Sequence, residues 1–207
     1  LLNQKKSAFL DASLYVLIFL LIGFIMFFYF LSFVPITGDS MENTMHDKQY
    51  CLVQRKCFDV ERGDIVTINT SEKGEEEHII IKRVIATAGD KLIFMISQDT
   101  NFIDLYLCKH GSSYFEKLTE PYIKERMKRS SPVYTEITLL SYDEQLPSAN
   151  IKDQSNTEYF NEINACIITV PNNSVFFLGD NRNISRDSRY YGTRTIDKIT
   201  SKVLCIL

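Results

Sequence analysis

Two residues in this chain are of types that could share one proton: Ser40, in "TGDSMENTM" (37–45), and Lys82, in "HIIIKRVIATAGD" (78–90). A serine hydroxyl is a weak nucleophile at neutral pH until an adjacent base takes its proton. An amine serves as that base only when uncharged, and an ordinary lysine titrates near ~10.4. Read as a strand, residues 78–86 put Ile80, Lys82, Val84 and Ala86 on one face and Ile79, Ile81, Arg83 and Ile85 on the other. Lysine is among the residues least often buried. Sheltered between Ile80 and Val84, its ammonium would lose hydration and its pKa would fall. The plainer alternative is an edge-strand lysine that reaches water along its stem.

Two further segments carry the remaining polar candidates. "RGDIVTI" (62–68) reads as a turn followed by a strand, and "GDNRNISRDSR" (179–189) packs two aspartates, three arginines and two serines into eleven residues. Each segment alone is ordinary, since a serine after Gly-Asp is usually a turn residue. In this order, however, the four segments resemble the boxes of type I signal peptidases, membrane-anchored Ser/Lys endopeptidases. The resemblance spans the amino-terminal apolar segment and the segments around the four boxes, roughly two thirds of the chain.

That resemblance implies Ser40 as nucleophile and Lys82 as general base. It implies that the Ser185 hydroxyl orients the lysine. Asp180, Asp187 and Arg189 would stabilise the site through ion pairs that include Arg83, and Met41 would line the substrate-facing pocket. The backbone N–H of Ser40 would donate to the oxyanion of a tetrahedral intermediate. Gly38 stands where some relatives place a second donor, a serine hydroxyl, which resembles the Gram-positive branch. The family's first box usually reads Ser-Met-x-Pro-Thr, whereas this chain has "SMENT", with Asn43 in place of the proline. Proline would hold φ near about −65°, so Asn43 frees that loop. Endoplasmic-reticulum relatives use histidine as the base; position 82 is lysine, leaving His46 and His78 as surface or loop residues.

The elements that must position these groups begin with "LYVLIFLLIGFIMFFYFLSFV" (14–34), inside a stretch with no charge between Asp11 and Asp39. About 21 helical residues span about 31 Å, the thickness of a bilayer's hydrocarbon core. An apolar run of this length without an Ala-x-Ala-like site reads as an uncleaved single-pass anchor rather than a cleaved signal. Beyond Pro35 no long 3.6-residue period is visible. Short apolar runs at 64–69, 78–86, 91–97, 165–170 and 174–180 read as strands. The expected fold is mainly β: a signal-peptidase-like core in two parts (36–97 and 166–207), an inserted smaller β-rich lobe (98–165), and the anchor (1–35) in front. The "EEE" of 75–77 reads as a solvated hairpin loop after Gly74.

The formal net charge of −3 and the lack of a basic stripe exclude a nucleic-acid role. The five cysteines form no C-x-x-C pair and have no metal-like spacing with the histidines, so neither a metal nor another cofactor is expected. The resemblance to type I signal peptidases implies removal of signal peptides from exported preproteins, with small residues one and three positions before the cut. The lipid bilayer is an expected partner, with the catalytic part on the extracytoplasmic side of the cell membrane. The secretion machinery is a further candidate partner. The alternative is a paralogue dedicated to pilus or other surface-protein assembly, with pilus components as partners.

Overall fold

A 29-residue helix, Leu2–Phe30 (α1), opens the computed structural model, which describes residues 2–72, 74–97, 101–129, 150–151 and 166–207. Its segment Ser13–Phe30 has a mean hydropathy of 2.5, and none of it is buried within the chain. At 1.5 Å per residue those 18 residues span about 27 Å, enough to cross a bilayer's apolar core.

The helix stops earlier than its apolar composition suggests. Leu31–Pro35 (β1) is an extended strand paired antiparallel with Tyr50–Gln54 (β2), in register Leu31↔Gln54 through Pro35↔Tyr50. Pro35 disfavours helical backbone at Val34, and β2 supplies the pairing that the helix would otherwise have provided. The expected apolar span of 14–34 therefore divides into a helix that ends at Phe30 and a strand that belongs to the sheet.

Beyond α1 the architecture is mainly β. Ile65–Asn69 (β3), Ile79–Thr87 (β4), Lys91–Ile96 (β5), Cys166–Thr169 (β10) and Ser174–Leu178 (β11) fall within a residue or two of the apolar runs read from sequence. Among the described residues, Phe102–Cys108 (β6), Tyr114–Lys117 (β7), Met127–Lys128 (β8), Asn150–Ile151 (β9), Arg194–Thr195 (β12) and Ile199–Ile206 (β13) complete the strands, with a short helix at Ser188–Tyr191 (α2). One sheet runs β1-β2-β13-β3-β4-β11-β12 with antiparallel neighbours throughout. The other runs β10-β5-β6-β7-β9, with β8 on β6 and a parallel β7–β9 pair.

The two sheets share a core. Ile85, Ala86, Phe176 and Leu178 of the first sheet pack with Leu92, Phe94 and Leu105 of the second, and the Phe94 and Phe176 rings lie 5.9 Å apart. Ile85 and Ala86 belong to the same cluster because the β4–β11 ladder shifts register between Phe176 and Phe177, which interrupts the strict alternation. Within the expected inserted lobe, residues 101–129 form β6, β7 and β8, and β9 follows at 150–151; residues 98–100, 130–149 and 152–165 lie outside the described residues. Glu75, Glu76 and Glu77 are exposed in the β3–β4 connection, just after Gly74. Cys51, Cys57, Cys108 and Cys205 are free thiols.

Candidate active site

Ser40 lies on a turn between β1 and β2 whose ends are closed by Ile36 N–H donating to Gln49 O (2.8 Å) and Lys48 N–H donating to Ile36 O (2.9 Å). Gly38 takes φ +84° and donates its N–H to Asp47 Oδ1 at 2.8 Å. After Ser40 the backbone winds on itself: Thr44 N–H and Met45 N–H both donate to Met41 O. Met41 and Met45 are buried in a cluster with Ile36, Cys51 and Val53, and this apolar anchorage holds the turn in place. Asn43 takes φ +90°, a backbone region closed to proline, whose ring holds φ near about −65°. A proline at this position could not take the backbone conformation that Asn43 adopts here.

Lys82 projects from β4 toward this turn. The residue is 3% exposed. Its Nζ lies 2.7 Å from Ser40 Oγ and donates to Ile81 O at 2.8 Å. Burial lowers its pKa from 10.5 to about 8; the Asp187 and Asp180 carboxylates pull it back up, and Arg189 pushes it down. Neutral amine is therefore far more abundant near neutral pH than for an ordinary lysine, though still the minor form at pH 7.

The loop after β11 closes behind the pair. Asn181 N–H donates to Ser40 O (3.1 Å) and Asn181 Nδ2 to Asp39 O (3.2 Å). Buried Asp180 accepts from Arg83 Nε (2.9 Å) and Nη2 (2.6 Å), and also from the Thr44 hydroxyl. This ties β4 to the Ser40 turn. Asp187 and Arg189, both at most 1% exposed, form a two-pronged pair at 2.8 Å and 2.8 Å. Asp187 also caps α2 and accepts from Gly179 N–H at 3.0 Å. Burial alone would raise the Asp187 pKa; the Arg189 guanidinium and the Gly179 N–H outweigh it and hold the carboxyl below its usual value.

Ser185 is fully buried, and its hydroxyl has no partner in hydrogen-bonding geometry among the described residues, though its polarity still favours the Asp187 charge. Lys82 Nζ donates instead to Ser40 Oγ and Ile81 O. Gly179 explains the crowding here. A Cβ on it would sit 2.4 Å from Ser40 O and on top of the Ser185 hydroxyl.

Sequence reading missed a second layer of contacts. Glu120 and Tyr122, in the connection between β7 and β8, reach the site: Glu120 pairs through both carboxylate oxygens with Arg182, and Arg83 lies 4.0 Å over the Tyr122 ring. Met127 Sδ accepts from Arg189 Nη1 at 3.2 Å. Glu120 and Arg182 are 62 positions apart, so no local spacing marks the pair.

In front of Ser40 and Lys82 lies an open groove of about 690 Å³. One wall is β1 and the Ser40 turn, with Ser32, Val34, Ile36 and Gly38; the other is the start of β4, from His78 to Lys82. Val53, Thr67 and Ser201 contribute from the strands between. Met41 is almost wholly buried and closes the groove from below. His46 is exposed and pairs with Glu42 at 2.6 Å, while His78 bonds the Thr70 hydroxyl at 2.8 Å at the far end. Among the described residues no cluster of three His, Cys, Asp or Glu side chains is arranged to hold a metal ion.

A family model described as "Signal peptidase, peptidase S26" matches residues 9–207. Signal peptidase I of Bacillus amyloliquefaciens is 30% identical over 190 residues, covering 90% of this chain and 80% of its own. Signal peptidase IB of Staphylococcus aureus is 28% identical over 171 residues, covering 81% of this chain and 73% of its own. A solved signal peptidase I from Enterococcus faecalis superposes over 72% of this chain and 100% of its own, at 20% identity and a TM-score of 0.40.

Proposed function

Because the chain belongs to the signal peptidase family, peptidase S26, as a type I member that removes signal peptides, we propose that Ser40 is its nucleophile and Lys82 its general base. Neutral Lys82 takes the proton from Ser40 Oγ as that oxygen attacks the scissile carbonyl. The resulting ammonium returns the proton to the leaving amine. Water, deprotonated by the same amine, then attacks the acyl carbon; the Ser40 Oγ–acyl bond breaks, the ammonium returns its proton to Ser40 Oγ, and the cleaved segment leaves with a free carboxylate. The Ser40 N–H donates to the oxyanion, and Gly38 adds no hydroxyl to that task. The single observation that carries this reading is the 2.7 Å approach of a nearly inaccessible lysine amine to a serine hydroxyl.

Asp180, Asp187, Arg83 and Arg189 serve as paired charges that hold the two reacting groups at that separation. Ser185 supports the lysine once substrate has displaced its resting contacts. The preprotein enters the groove extended. On the β11 side, residues 79–82 of β4 precede the paired stretch, which begins at Arg83, and β1 is the edge of its sheet. Both offer backbone groups to an added strand. The side chains of Ile36, Val34, Val53 and Ile81 leave shallow apolar space suited to small residues before the cut.

Ser13–Phe30 anchors the protein in the membrane, with the groove on the extracytoplasmic side where exported preproteins emerge. The test is incubation of the detergent-solubilised chain with a signal-bearing preprotein, followed by mass spectrometry of the products. Wild type releases the mature amino terminus; Ser40→Ala and Lys82→Ala leave the precursor intact. Cleavage by either variant at the wild-type rate would end the assignment.

A further inference from the structure

Two side chains bonded to neither Ser40 nor Lys82 reach both through their partners. The Glu120 carboxylate takes both prongs of the Arg182 guanidinium, one at 2.8 Å, and the pair is 11% and 3% exposed. Arg182 Nε in turn donates to Gly179 O at 3.1 Å. Gly179 is the residue on which any Cβ would collide with Ser40 O and the Ser185 hydroxyl, and its N–H is held by Asp187. This is one arm from Glu120 to the back of the Ser40 turn.

A second arm starts from the same carboxylate. The Tyr122 hydroxyl donates to Glu120 Oε1 at 2.7 Å. The Tyr122 ring lies 4.0 Å beneath the Arg83 guanidinium, a cation–π contact strengthened by shielding from water. Arg83 holds Asp180, and Asp180 holds Thr44 on the Ser40 turn. Arg83 is also the immediate neighbour of Lys82 on β4. Burial and the nearby Glu120 charge raise the Tyr122 pKa, so the phenol stays a hydrogen-bond donor across the working pH range.

We propose that Glu120 and Tyr122, carried by the segment between β7 and β8, are positioning residues that set the Ser40–Lys82 separation through Arg182–Gly179 on one side and Arg83–Asp180 on the other. The inference rests on the Ser40/Lys82 reading and adds to it a role for the second sheet's segment in the catalytic rate. A buried Arg–Glu pair contributes little net stability compared with apolar packing. Its worth here is geometric, because a displacement of about 1 Å at a reacting pair costs roughly a hundredfold in rate.

The experiment measures kcat and KM of the full-length, detergent-solubilised protein on a signal-bearing preprotein, with the folded fraction determined by circular dichroism. The variants are Glu120→Gln, Arg182→Lys, Tyr122→Phe and Tyr122→Leu. Lys117→Ala, which breaks an exposed ion pair with Asp104 in the same sheet, is the control. Glu120→Gln and Arg182→Lys should lower kcat per folded molecule by about tenfold or more while KM stays within about twofold. Tyr122→Leu should fall further than Tyr122→Phe, which keeps the ring under Arg83, and Lys117→Ala should match wild type. Wild-type kcat per folded molecule in Glu120→Gln, or a loss that appears only in KM, overturns the proposal; Tyr122→Leu decides the case if Glu120→Gln does not fold. Full activity in Ser40→Ala would instead defeat the dyad reading on which the proposal stands.

Discussion

Lys82 Nζ meets Ser40 Oγ at 2.7 Å in a place almost closed to solvent, and that closure sets how both activity and stability respond to pH. With the lysine pKa at about 8, the fraction of neutral base falls tenfold per pH unit below that value. Four charged side chains bear on the amine or stand next to it: Asp187, Asp180, Arg189 and Arg83. We expect kcat/KM to climb from about pH 6 and level off above about pH 8. A flat profile from pH 6 to 9, or a limb centred near 10, would contradict a buried amine as base.

The same burial appears in folding. The unfolded chain holds the Lys82 proton up to its ordinary value of 10.5, whereas the folded chain releases it at about 8. Within that window the unfolded state binds more protons, so stability rises with pH, and below about 8 the full penalty of about 3 kcal/mol applies. Lys82→Met removes the charge while keeping the length. Its denaturation midpoint should therefore exceed that of wild type at pH 7, and the difference should shrink toward pH 10.

Asn43 offers a test of the loop. Its φ of +90° is open to glycine and closed to proline, so Asn43→Pro must rebuild the turn after Ser40 even though it restores the residue common among relatives. Asn43→Gly should keep activity within about threefold, while Asn43→Pro should lose at least about tenfold and melt lower. Equal activity in the two variants would show that this backbone conformation is unimportant.

Gly179→Ala places a methyl group 2.4 Å from Ser40 O. Neither the backbone carbonyl nor the buried serine beside it can yield freely, so the loop must shift. Overpacking of this kind destabilises by about 1–3 kcal/mol, and the displaced pair should cleave about a hundredfold more slowly. Chemical denaturation and single-turnover cleavage together check both numbers.

Ser185→Ala behaves differently. A buried hydroxyl without a partner in hydrogen-bonding geometry among the described residues sets its desolvation cost against a modest support of the Asp187 charge, so its removal should leave the melting temperature nearly unchanged. The cleavage rate should fall by less than about tenfold, against the thousandfold or greater loss expected of Ser40→Ala. An equal loss in the two variants would mean that Ser185 acts in a way the resting geometry does not display.

Sequence was informative wherever the signal was local. The runs 64–69 and 174–180 alternate or pack apolar residues between turn signals, and each became a strand of the first sheet. Lys82 stood out because a charge between Ile80 and Val84 is rare, and its burial followed. β1 was hidden because Leu31–Pro35 is as apolar as the helix before it, so composition contains no sign of the change from one backbone to the other. Glu120 and Tyr122 lay inside "EPYIKERMKRSSP", where the local charges resemble any solvated surface. Their partners are distant in the chain, and only the folded arrangement joins them.

With α1 in a bilayer, the uninterrupted passage from α1 into β1 would make the fold a measuring device. Arg55 N–H, just past the end of β2, is bonded to Phe30 O, so the last residue of the helix is tied to the sheet at the point where β1 begins. Five extended residues reach about 16 Å, and the Ser40 turn follows directly. With α1 across the bilayer, the cut would fall at a set height above the lipid. Substrates would then be sorted by how far their cleavable bond stands from the end of their own apolar segment, as well as by the residues around it.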